Sequence, residues 1–308
     1  MLRASLLYLS EQPGVFKFVS RNGLAKKFAA RFVAGETLDT AVAAVRDLNA
    51  RKISASLDLL GESVRTKEEA AHAADVAIEM LERIAADRLD ANISVKLTQF
   101  GFDLDEGLCV ENTTRILERG QALDIFVRID MESSAYTQRT LELVEQRLFP
   151  RFPSHVGVVI QSYLYRSKDD IQRLIGLGMR VRLCKGAYKE PPAVAFPAKA
   201  DVDRAYREEM ELLLAQGTYP GIATHDEALI GHARRFVKAQ GIAAERYEFQ
   251  MLYGVRRDLQ DELVQAGHRM RVYVPFGSQW YPYLMRRLAE RPANIAFILG
   301  NVVKEGLK

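Results

Sequence analysis

The sequence has little cysteine and no long apolar run. Among its 308 residues are two cysteines, Cys109 and Cys184, outside any C-x-x-C pair, so we expect neither a disulfide framework nor a cysteine-bound zinc. The apolar N-terminal stretch ends at Leu9, which makes it too short for a signal peptide or a membrane span. Segment 15–33 mixes aromatic with basic residues, and a helix packed on the protein is favoured over one lying on a membrane surface. We expect a cytoplasmic protein.

Neither sign of charge dominates. Lysine and arginine total 43 against 40 for aspartate and glutamate, a net charge of +3, which lacks the concentrated basicity that nucleic acid attracts. The P-loop, H-E-x-x-H and G-x-S-x-G motifs are also missing, which disfavours NTPases and hydrolases. The five histidines are scattered along the chain. We therefore expect no nucleic-acid partner and no metal site.

Short apolar runs alternate with segments of helical periodicity. Eight runs are typical of buried strands: 53–60, 93–97, 125–129, 156–160, 181–184, 221–224, 247–252 and 272–274. Thr37 is a predicted N-cap, and Thr66 with Glu69 forms a predicted capping box before a helix over 70–85. Strands joined by helices predict a parallel α/β sheet closed into a (β/α)₈ barrel, with an open doubly wound sheet as the alternative. Residues 1–50 form a predicted N-terminal helical segment that packs on a catalytic barrel over 51–308.

Polar side chains gather at the predicted C-terminal strand ends, where barrel enzymes keep their active sites. They are Asp58, Glu62, Lys96, Thr98, Gln99, Asp130, Glu132, Gln161, Ser162, Arg182, Lys185, Thr224, His225, Gln250 and Tyr273. Buried charges must pair with one another or with ligands, because an unpaired buried charge is strongly destabilising. The sequence therefore predicts a convergent site of mixed charge.

Two further segments favour ligand binding. Gly186 and Ala187 would let a planar or phosphorylated ligand approach the backbone, and Thr224 with His225 offers donors to a pyrophosphate. The alternative is that Gly186 only serves a tight turn. In the last helix, 280–290, Tyr283, Arg286, Arg287 and Glu290 share one face. Paired guanidinium groups match a carboxylate, although a solvated face with an Arg-Glu pair would have the same pattern.

Eight segments in chain order carry a resemblance to a known family. They are Leu57-Asp-Leu-Leu-Gly-Glu62, Ser94-Val-Lys-Leu-Thr98, Val127-Arg-Ile-Asp-Met-Glu132, Val159-Ile-Gln-Ser-Tyr163, Arg182-Leu-Cys-Lys-Gly-Ala-Tyr188, Ala223-Thr-His225, Glu248-Phe-Gln-Met-Leu-Tyr-Gly254, and Tyr273-Val-Pro-Phe-Gly277 with the tail 283–294. With them the chain resembles the FAD-dependent proline dehydrogenases, in their bacterial monofunctional form. The resemblance implies a distorted (β/α)₈ TIM-type barrel with N-terminal helices and with FAD at the strand C-termini.

The resemblance also implies roles for individual residues. Arg286 and Arg287 would bind the proline carboxylate, and Glu290 and Glu62 would orient them. The residues that would enclose the proline ring are Lys96, Asp130, Tyr273, Tyr283 and Leu252. Arg182 would lie beside the reactive flavin nitrogen, and Asp130 and Arg182 are the expected catalytic residues. The residues that would hold the flavin and its tail are Met131, Gln161, Lys185, Gly186, Ala187, Thr224 and His225.

The implied reaction is oxidation of L-proline to Δ1-pyrroline-5-carboxylate, the first step of proline catabolism to glutamate, by hydride transfer to flavin N5. The electrons would pass to a quinone. Because quinones lie in membranes, the protein would contact the inner face of a membrane peripherally. A separate pyrroline-5-carboxylate dehydrogenase would take the product. Two alternatives remain: a Schiff-base aldolase with Lys96 or Lys185 as nucleophile and Asp130 as proton shuttle, and a flavin or proline sensor without turnover.

Overall fold

Eight parallel strands close into one barrel in chain order. The computed structural model describes residues 29–61 and 64–290, and of residues 286–290 the backbone alone. The strands are β1 Ser54–Leu59, β2 Ala91–Val95, β3 Val127–Ile129, β4 Val156–Gln161, β5 Arg180–Cys184, β6 Gly221–Ala223, β7 Glu248–Leu252 and β8 Met270–Phe276. The predicted (β/α)₈ fold is confirmed, and the alternative of an open sheet is wrong because β1 pairs with β8.

Helices occupy every connection between successive strands. The seven connecting helices are α2 Lys67–Ala86, α3 Glu106–Ala122, α4 Ser134–Leu143, α5 Ser167–Leu177, α6 Lys199–Gln216, α7 Glu227–Gln240 and α8 Arg257–Gln265. Helix α1, Leu38–Ala50, precedes β1, and helix α9, Trp280–Glu290, follows β8. Helix α4 runs on into a π-helical turn, Val144–Leu148. Within the part of the chain that the structure describes, no helix is long and apolar enough to cross a membrane.

The main hydrophobic core lies between the strands and the surrounding helices. Buried Leu57, Ile93 and Val127 of the strands belong to the same apolar cluster as Leu48 of α1 and Leu81 of α2. Successive side chains of a strand point to opposite faces, so the alternate positions face the barrel interior. Those inward positions are largely polar in β1, β2, β3, β5, β7 and β8. The outer apolar layer therefore stabilises the barrel, and the interior is left to polar groups.

The segment before the barrel is tied to its seam. Helix α1 packs on β1 and β8 and begins at Thr37, whose hydroxyl accepts from the Thr40 N–H as predicted. Just before it, the Ala34 N–H donates to the Pro275 carbonyl at 2.8 Å and the Gly277 N–H donates to the Gly35 carbonyl at 3.0 Å. The described part of the N-terminal segment thus lies across the junction of the first and last strands.

Three local predictions need correction. The capping box at Thr66 is half right: its hydroxyl accepts from the Glu69 N–H, but the Glu69 carboxylate accepts from the Arg65 N–H, one residue further back. Strand β2 stops at Val95, and Leu97–Phe100 turns into a 3₁₀ helix that brings the Gln99 side chain back to the Lys96 N–H. The apolar periodicity of the sequence also predicts a helix over 113–118, whereas helix α3 spans Glu106–Ala122, because polar residues on its exposed face mask the periodicity of the rest.

Gly157 of β4 is a position where the barrel excludes a side chain. A Cβ there would lie 2.3 Å from the Arg180 carbonyl oxygen and 2.9 Å from Arg128 Nη1 and Phe126 Cζ. We expect Gly157→Ala to lower the free energy of unfolding by about 1 to 3 kcal/mol through overpacking. Gly176→Ala is the control, since nothing lies within 4 Å of a Cβ on that helical glycine. The measurement is urea unfolding of both variants. Equal unfolding midpoints would contradict the close packing around Gly157.

Candidate active site

Arg182 lies at the centre of a buried polar cluster inside the barrel. From β5, its Nη1 donates to Asp130 Oδ1 at 2.8 Å and its Nη2 donates to Ser94 Oγ at 3.0 Å. Its Nε donates to Gln250 Oε1. Ser94 and Gln250 belong to β2 and β7, and Asp130 directly follows β3, so the guanidinium crosses the interior. Only 7% of its side chain is exposed, and the Asp130 carboxylate compensates its buried charge.

Tyr273 provides the second hydrogen bond to the Asp130 carboxylate. Its hydroxyl donates to Asp130 Oδ2 at 2.7 Å, and the Arg182 guanidinium carbon lies 5.4 Å from its ring centroid. Burial, followed by the charge of Asp130, raises the pKa of the Tyr273 hydroxyl well above its usual value, so it remains a donor. The prediction that Tyr273 lies at the end of the last strand is wrong, because β8 continues to Phe276. The ring instead faces the barrel interior beside Arg182.

Lys96 pairs with Asp58 across the ends of β1 and β2. Lys96 Nζ lies 3.2 Å from Asp58 Oδ1, and their side chains are 11% and 1% exposed. Burial raises the pKa of Asp58 to about 6, against the opposing effect of the Lys96 ammonium. The Asp130 charge raises it further, and the nearby Tyr273 hydroxyl lowers it. Lys96, Asp130, Arg182 and Tyr273, predicted from different strands, are therefore brought together, as a site of mixed charge requires.

The predicted cofactor residues near the ends of β5 and β6 have partners within the chain. Lys185 Nζ donates to Asp203 Oδ1 at 2.6 Å and to Asp226 Oδ2 at 2.9 Å. The Thr224 hydroxyl accepts from the Asp226 N–H at 3.1 Å. His225 Nε2 accepts from the Leu252 N–H at 2.9 Å, so this nitrogen carries no proton.

Gly186 lies at a position where the backbone conformation and a close neighbour require glycine. Its φ is +106°, and a Cβ there would lie 2.4 Å from Tyr163 Cε1. A glycine is needed both for the left-handed backbone and for the Tyr163 ring packed against it. The alternative of a constrained turn is thus sufficient to explain Gly186. Its neighbour Ala187 is exposed.

Helix α9 begins beside the barrel mouth. Trp280, Tyr283 and Leu284 belong to one buried cluster with Leu60, which directly follows β1, and Trp280 Nε1 donates to Glu36 Oε1 at 3.2 Å. The helical backbone continues to Glu290, so positions 286, 287 and 290 follow Tyr283 at the predicted spacing of three, four and seven. The side chains of Arg286, Arg287 and Glu290 lie outside the described residues. Glu62 lies outside them altogether.

The sequence prediction placed Asp58 and Gln250 in the convergent polar site without giving them a role, and it did not include Glu248. Asp58, Glu248 and Gln250 are buried and in contact with Lys96, Arg271 or Arg182. A signal was available, since polar residues recur at every second position of β1 and β7 inside otherwise apolar runs. That period marks one face of a strand, but it does not identify the partner on another strand.

Comparisons with known proteins agree with this arrangement. A family model described as proline dehydrogenase matches residues 41–299. Proline dehydrogenase 1 of Bacillus subtilis strain 168 is 41% identical over 307 residues, covering 99% of this chain and 100% of its own. Proline dehydrogenase of Deinococcus radiodurans is 40% identical over 307 residues, covering 99% and 98%. This chain belongs to the proline dehydrogenase family.

Solved structures of the family are also similar. The crystal structure of proline utilization A (PutA) from Bdellovibrio bacteriovorus, inactivated by N-propargylglycine, matches with a TM-score of 0.82 and 26% identity. The match covers 90% of this chain and 34% of that one. A Bradyrhizobium japonicum PutA variant matches with a TM-score of 0.75 and 25% identity, over 89% and 32% of the two chains. This proline dehydrogenase chain therefore spans about a third of the PutA chains it matches.

Family membership implies a flavin cofactor, and the barrel mouth offers groups that fit one. Gln161 Oε1 and Ser162 Oγ, at the end of β4, are buried atoms to which the described residues provide no hydrogen-bond partner. Buried polar atoms of this kind call for a partner from a ligand or water, and an isoalloxazine ring carries both donors and acceptors at its edge. Met131, which is 6% exposed, follows Asp130 directly and adds apolar surface. The residues present thus fit a flavin bound near Arg182.

The buried Asp58 carboxyl predicts a pH dependence of stability. Its pKa is near 3.8 when exposed and about 6 in the folded protein, so the folded state binds more protons between these values. Its contribution therefore falls as pH rises from about 4 to about 6, by about 3 kcal/mol in all. We expect Asp58→Asn to remove this slope, measured by urea unfolding across that pH range. Asp47→Asn, an exposed α1 position, is the control, and an unchanged slope in Asp58→Asn would contradict the assignment.

Proposed function

We propose that this chain is an FAD-dependent proline dehydrogenase that oxidises L-proline to Δ1-pyrroline-5-carboxylate, the first step of proline catabolism to glutamate. One observation carries the proposal: the full-length similarity to named proline dehydrogenases coincides with a buried Arg182, Asp130 and Tyr273 cluster inside the barrel. Such a cluster places fixed charges where a small polar substrate would enter. We also propose that residues 51–308 form the catalytic barrel and that residues 1–50 form the helical segment packed on it.

A substrate carboxylate would need a cation beyond those that are already paired inside the barrel. Two cations, Lys96 and Arg182, face two carboxylates, Asp58 and Asp130, in pairs of 3.2 Å and 2.8 Å. These two pairs are balanced, and neither of their cations is left for an added carboxylate. Arg286 and Arg287 would supply the missing charge as a bidentate clamp, with Glu290 and Glu62 orienting them. Tyr283, buried at 7% exposure in the first turns of the same helix, and Leu252 would enclose the ring together with Lys96, Asp130 and Tyr273.

FAD would occupy the C-terminal mouth of the barrel, where it supplies the electron acceptor for the oxidation. Arg182 would hold a positive charge beside its reactive edge, which stabilises negative charge gained on reduction. The unpartnered Gln161 amide oxygen and Met131 would contact the ring system, and Thr224 and His225 would hold the remainder. Lys185, Gly186 and Ala187 would line the same side. Lys185 is paired with Asp203 and Asp226. We therefore propose that it holds this side of the cofactor site in place.

The chain's residues also determine where protons lie. Asp130 accepts from Arg182 on one oxygen and from Tyr273 on the other. Tyr273 remains protonated and donates. The ring nitrogen of proline would therefore meet a carboxylate that is already held as an acceptor. These contacts orient the substrate before the reaction, which is the contribution expected of the protein when a cofactor carries the chemistry.

The aldolase alternative fits the contacts less well. A Schiff-base nucleophile must be a neutral amine, whereas Lys96 is paired with Asp58 at 3.2 Å and Lys185 with Asp203 at 2.6 Å. Both amines are thus already in contact with a carboxylate. The alternative also gives the two arginines of α9 no function. A sensor that binds flavin and proline without turnover shares every contact with the enzyme, so only a turnover experiment distinguishes the two.

We propose a quinone as the electron acceptor and a separate pyrroline-5-carboxylate dehydrogenase as the enzyme that takes the product. The reduced cofactor must be reoxidised for turnover, and the product is at the oxidation level of an aldehyde, so a further oxidation is needed to reach glutamate. We propose a cytoplasmic enzyme whose contact with the inner face of a membrane is peripheral.

Spectroscopy of the purified protein tests this function. We expect oxidised flavin absorbance in the blue and visible range, extraction of FAD on denaturation, and bleaching when L-proline is added without oxygen. D-proline is the control for specific binding. A bound flavin that proline never reduces would favour the sensor, and a colourless protein that borohydride traps on a carbonyl substrate would favour the aldolase. Either result would reject the proposed activity.

The arginine clamp can be tested separately from the cofactor. We expect Arg286→Ala to retain flavin absorbance but to lose about 2 to 5 kcal/mol of transition-state stabilisation, because the proline carboxylate loses a charged partner. The measurement is kcat/KM for proline. Arg235→Ala, an exposed arginine of α7, is the matched control and should retain wild-type kinetics. Wild-type kcat/KM in Arg286→Ala would remove this residue from the substrate site.

A further inference from the structure

A continuous chain of polar contacts runs through the barrel from its mouth towards the opposite end. Below the Arg182 and Asp130 pair, the Arg182 Nε donates to Gln250 Oε1. Gln250 Nε2 donates to Glu248 Oε1 at 2.6 Å, and Arg271 Nε donates to the same oxygen at 2.8 Å. Among the residues that the structure describes, Gln250 thus joins Arg182 to a second buried ion pair, Glu248 with Arg271.

The amide of Gln250 has a single favourable orientation. Burial alone would raise the pKa of Glu248, but the Arg271 charge and hydrogen bonds from Arg271 and Gln250 hold it below its usual value. Glu248 is therefore a carboxylate and can only accept. The opposite flip of the amide would place its oxygen against that carboxylate and its NH₂ group against the Arg182 N–H. Glu248 therefore keeps the Gln250 oxygen directed at Arg182.

Gly221 of β6 provides the space in which this amide lies. A Cβ on Gly221 would be 2.5 Å from Gln250 Nε2, 2.9 Å from its Cδ and 3.5 Å from its Cγ. Gly221 pairs with Arg182 of β5 on one side and with Glu248 of β7 on the other. Its φ lies outside the left-handed region, so an alanine fits the backbone there. The Gln250 side chain is what an added methyl group at this position would displace.

We propose that Gln250, seated in the space left by Gly221, is a positioning residue that fixes the Arg182 guanidinium at the active-site mouth. The inference rests on the proposed function, because the effect of Arg182 on a bound flavin is its readout. With Nε held by Gln250, Nη1 points to Asp130 and Nη2 points to Ser94. Without the amide, Arg182 Nε loses its acceptor while Nη1 and Nη2 keep Asp130 and Ser94, so the guanidinium can tilt about these contacts towards the Glu248 carboxylate, deeper in the barrel. Its charge then lies further from the flavin and from the substrate.

Gly221→Ala and Gln250→Ala test the proposal in the flavin-loaded enzyme. We expect each single variant to bind flavin and to reduce kcat by about tenfold, with a smaller change in KM. We expect the flavin midpoint potential to become more negative by about 30 mV, which corresponds to a tenfold change in the equilibrium constant of a two-electron reduction. A purely structural role would lower stability without moving the potential. Gly176→Ala, a helical glycine in open space, is the matched control.

A double-mutant cycle shows whether Gly221 acts through Gln250. In the Gln250→Ala background the displaced amide is gone, so Gly221→Ala should cause no further change in potential or kcat. Additive effects would mean that Gly221 acts on something else, and would overturn the proposal. Gln250→Met provides a variant of similar volume in case the alanine variant folds poorly. It should give the same shift, since it also lacks the amide.

The outcomes separate this inference from the proposed function. If proline does not reduce the wild-type flavin, the function itself is wrong, whatever the variants do. If the wild type is reduced and the variants keep its potential and kcat, the function stands and the positioning role of Gln250 is wrong. A potential that becomes more positive would also overturn the role, because Gln250 would then be screening the charge of Arg182 instead of positioning it.

Discussion

The buried ion pair between Arg182 and Asp130 is the interaction on which the rest of the barrel interior depends. A guanidinium at 7% exposure needs an acceptor for each of its donors. Asp130, Ser94 and Gln250 accept one hydrogen bond from each of its three nitrogens, Ser94 and Gln250 from β2 and β7 and Asp130 from the residue that follows β3. Each partner in turn needs its own partner, which accounts for Tyr273 beside Asp130 and Glu248 beside Gln250. One buried charge thus determines the inward-facing residues of most of the barrel.

Stability and chemistry use different faces of the same strands. Apolar residues such as Leu57 and Val127 pack outward into the layer beneath the helices, while their neighbours Asp58 and Arg128 face inward. Barrel interiors are usually filled by layers of branched apolar side chains. In this protein the outer layer supplies the apolar burial, so the interior keeps a polar network. A polar network of this kind tolerates few changes, because each substitution leaves a buried partner unsatisfied.

Much of the fold was predictable, because strand and helix periodicity are local properties of the sequence. The run 53–60 and the N-cap at Thr37 needed only their neighbours, and both elements are present. Parallel strands carry their C-terminal residues to one end, so the gathering of Lys96, Asp130 and Arg182 also followed. The partner of each side chain could not be predicted in this way. That Lys96 pairs with Asp58, that Lys185 pairs with Asp203, and that Gly221 makes room for Gln250 depend on strand register and on side-chain reach across the barrel, neither of which a single sequence encodes locally.

The seam between β1 and β8 affects how the chain can be made. Six residue pairs, from Ser54 with Arg271 to Leu59 with Phe276, join the first strand to the last. The ribosome therefore synthesises β1 long before its second neighbour, β8, exists, and until then the sheet of seven strands has two open edges, β1 and β7. Contacts between such distant residues form slowly, and open edges expose nascent chains to mispairing. Tyr273 and Arg271 are among the last of the barrel residues to emerge, so the polar interior is completed only when the circle closes.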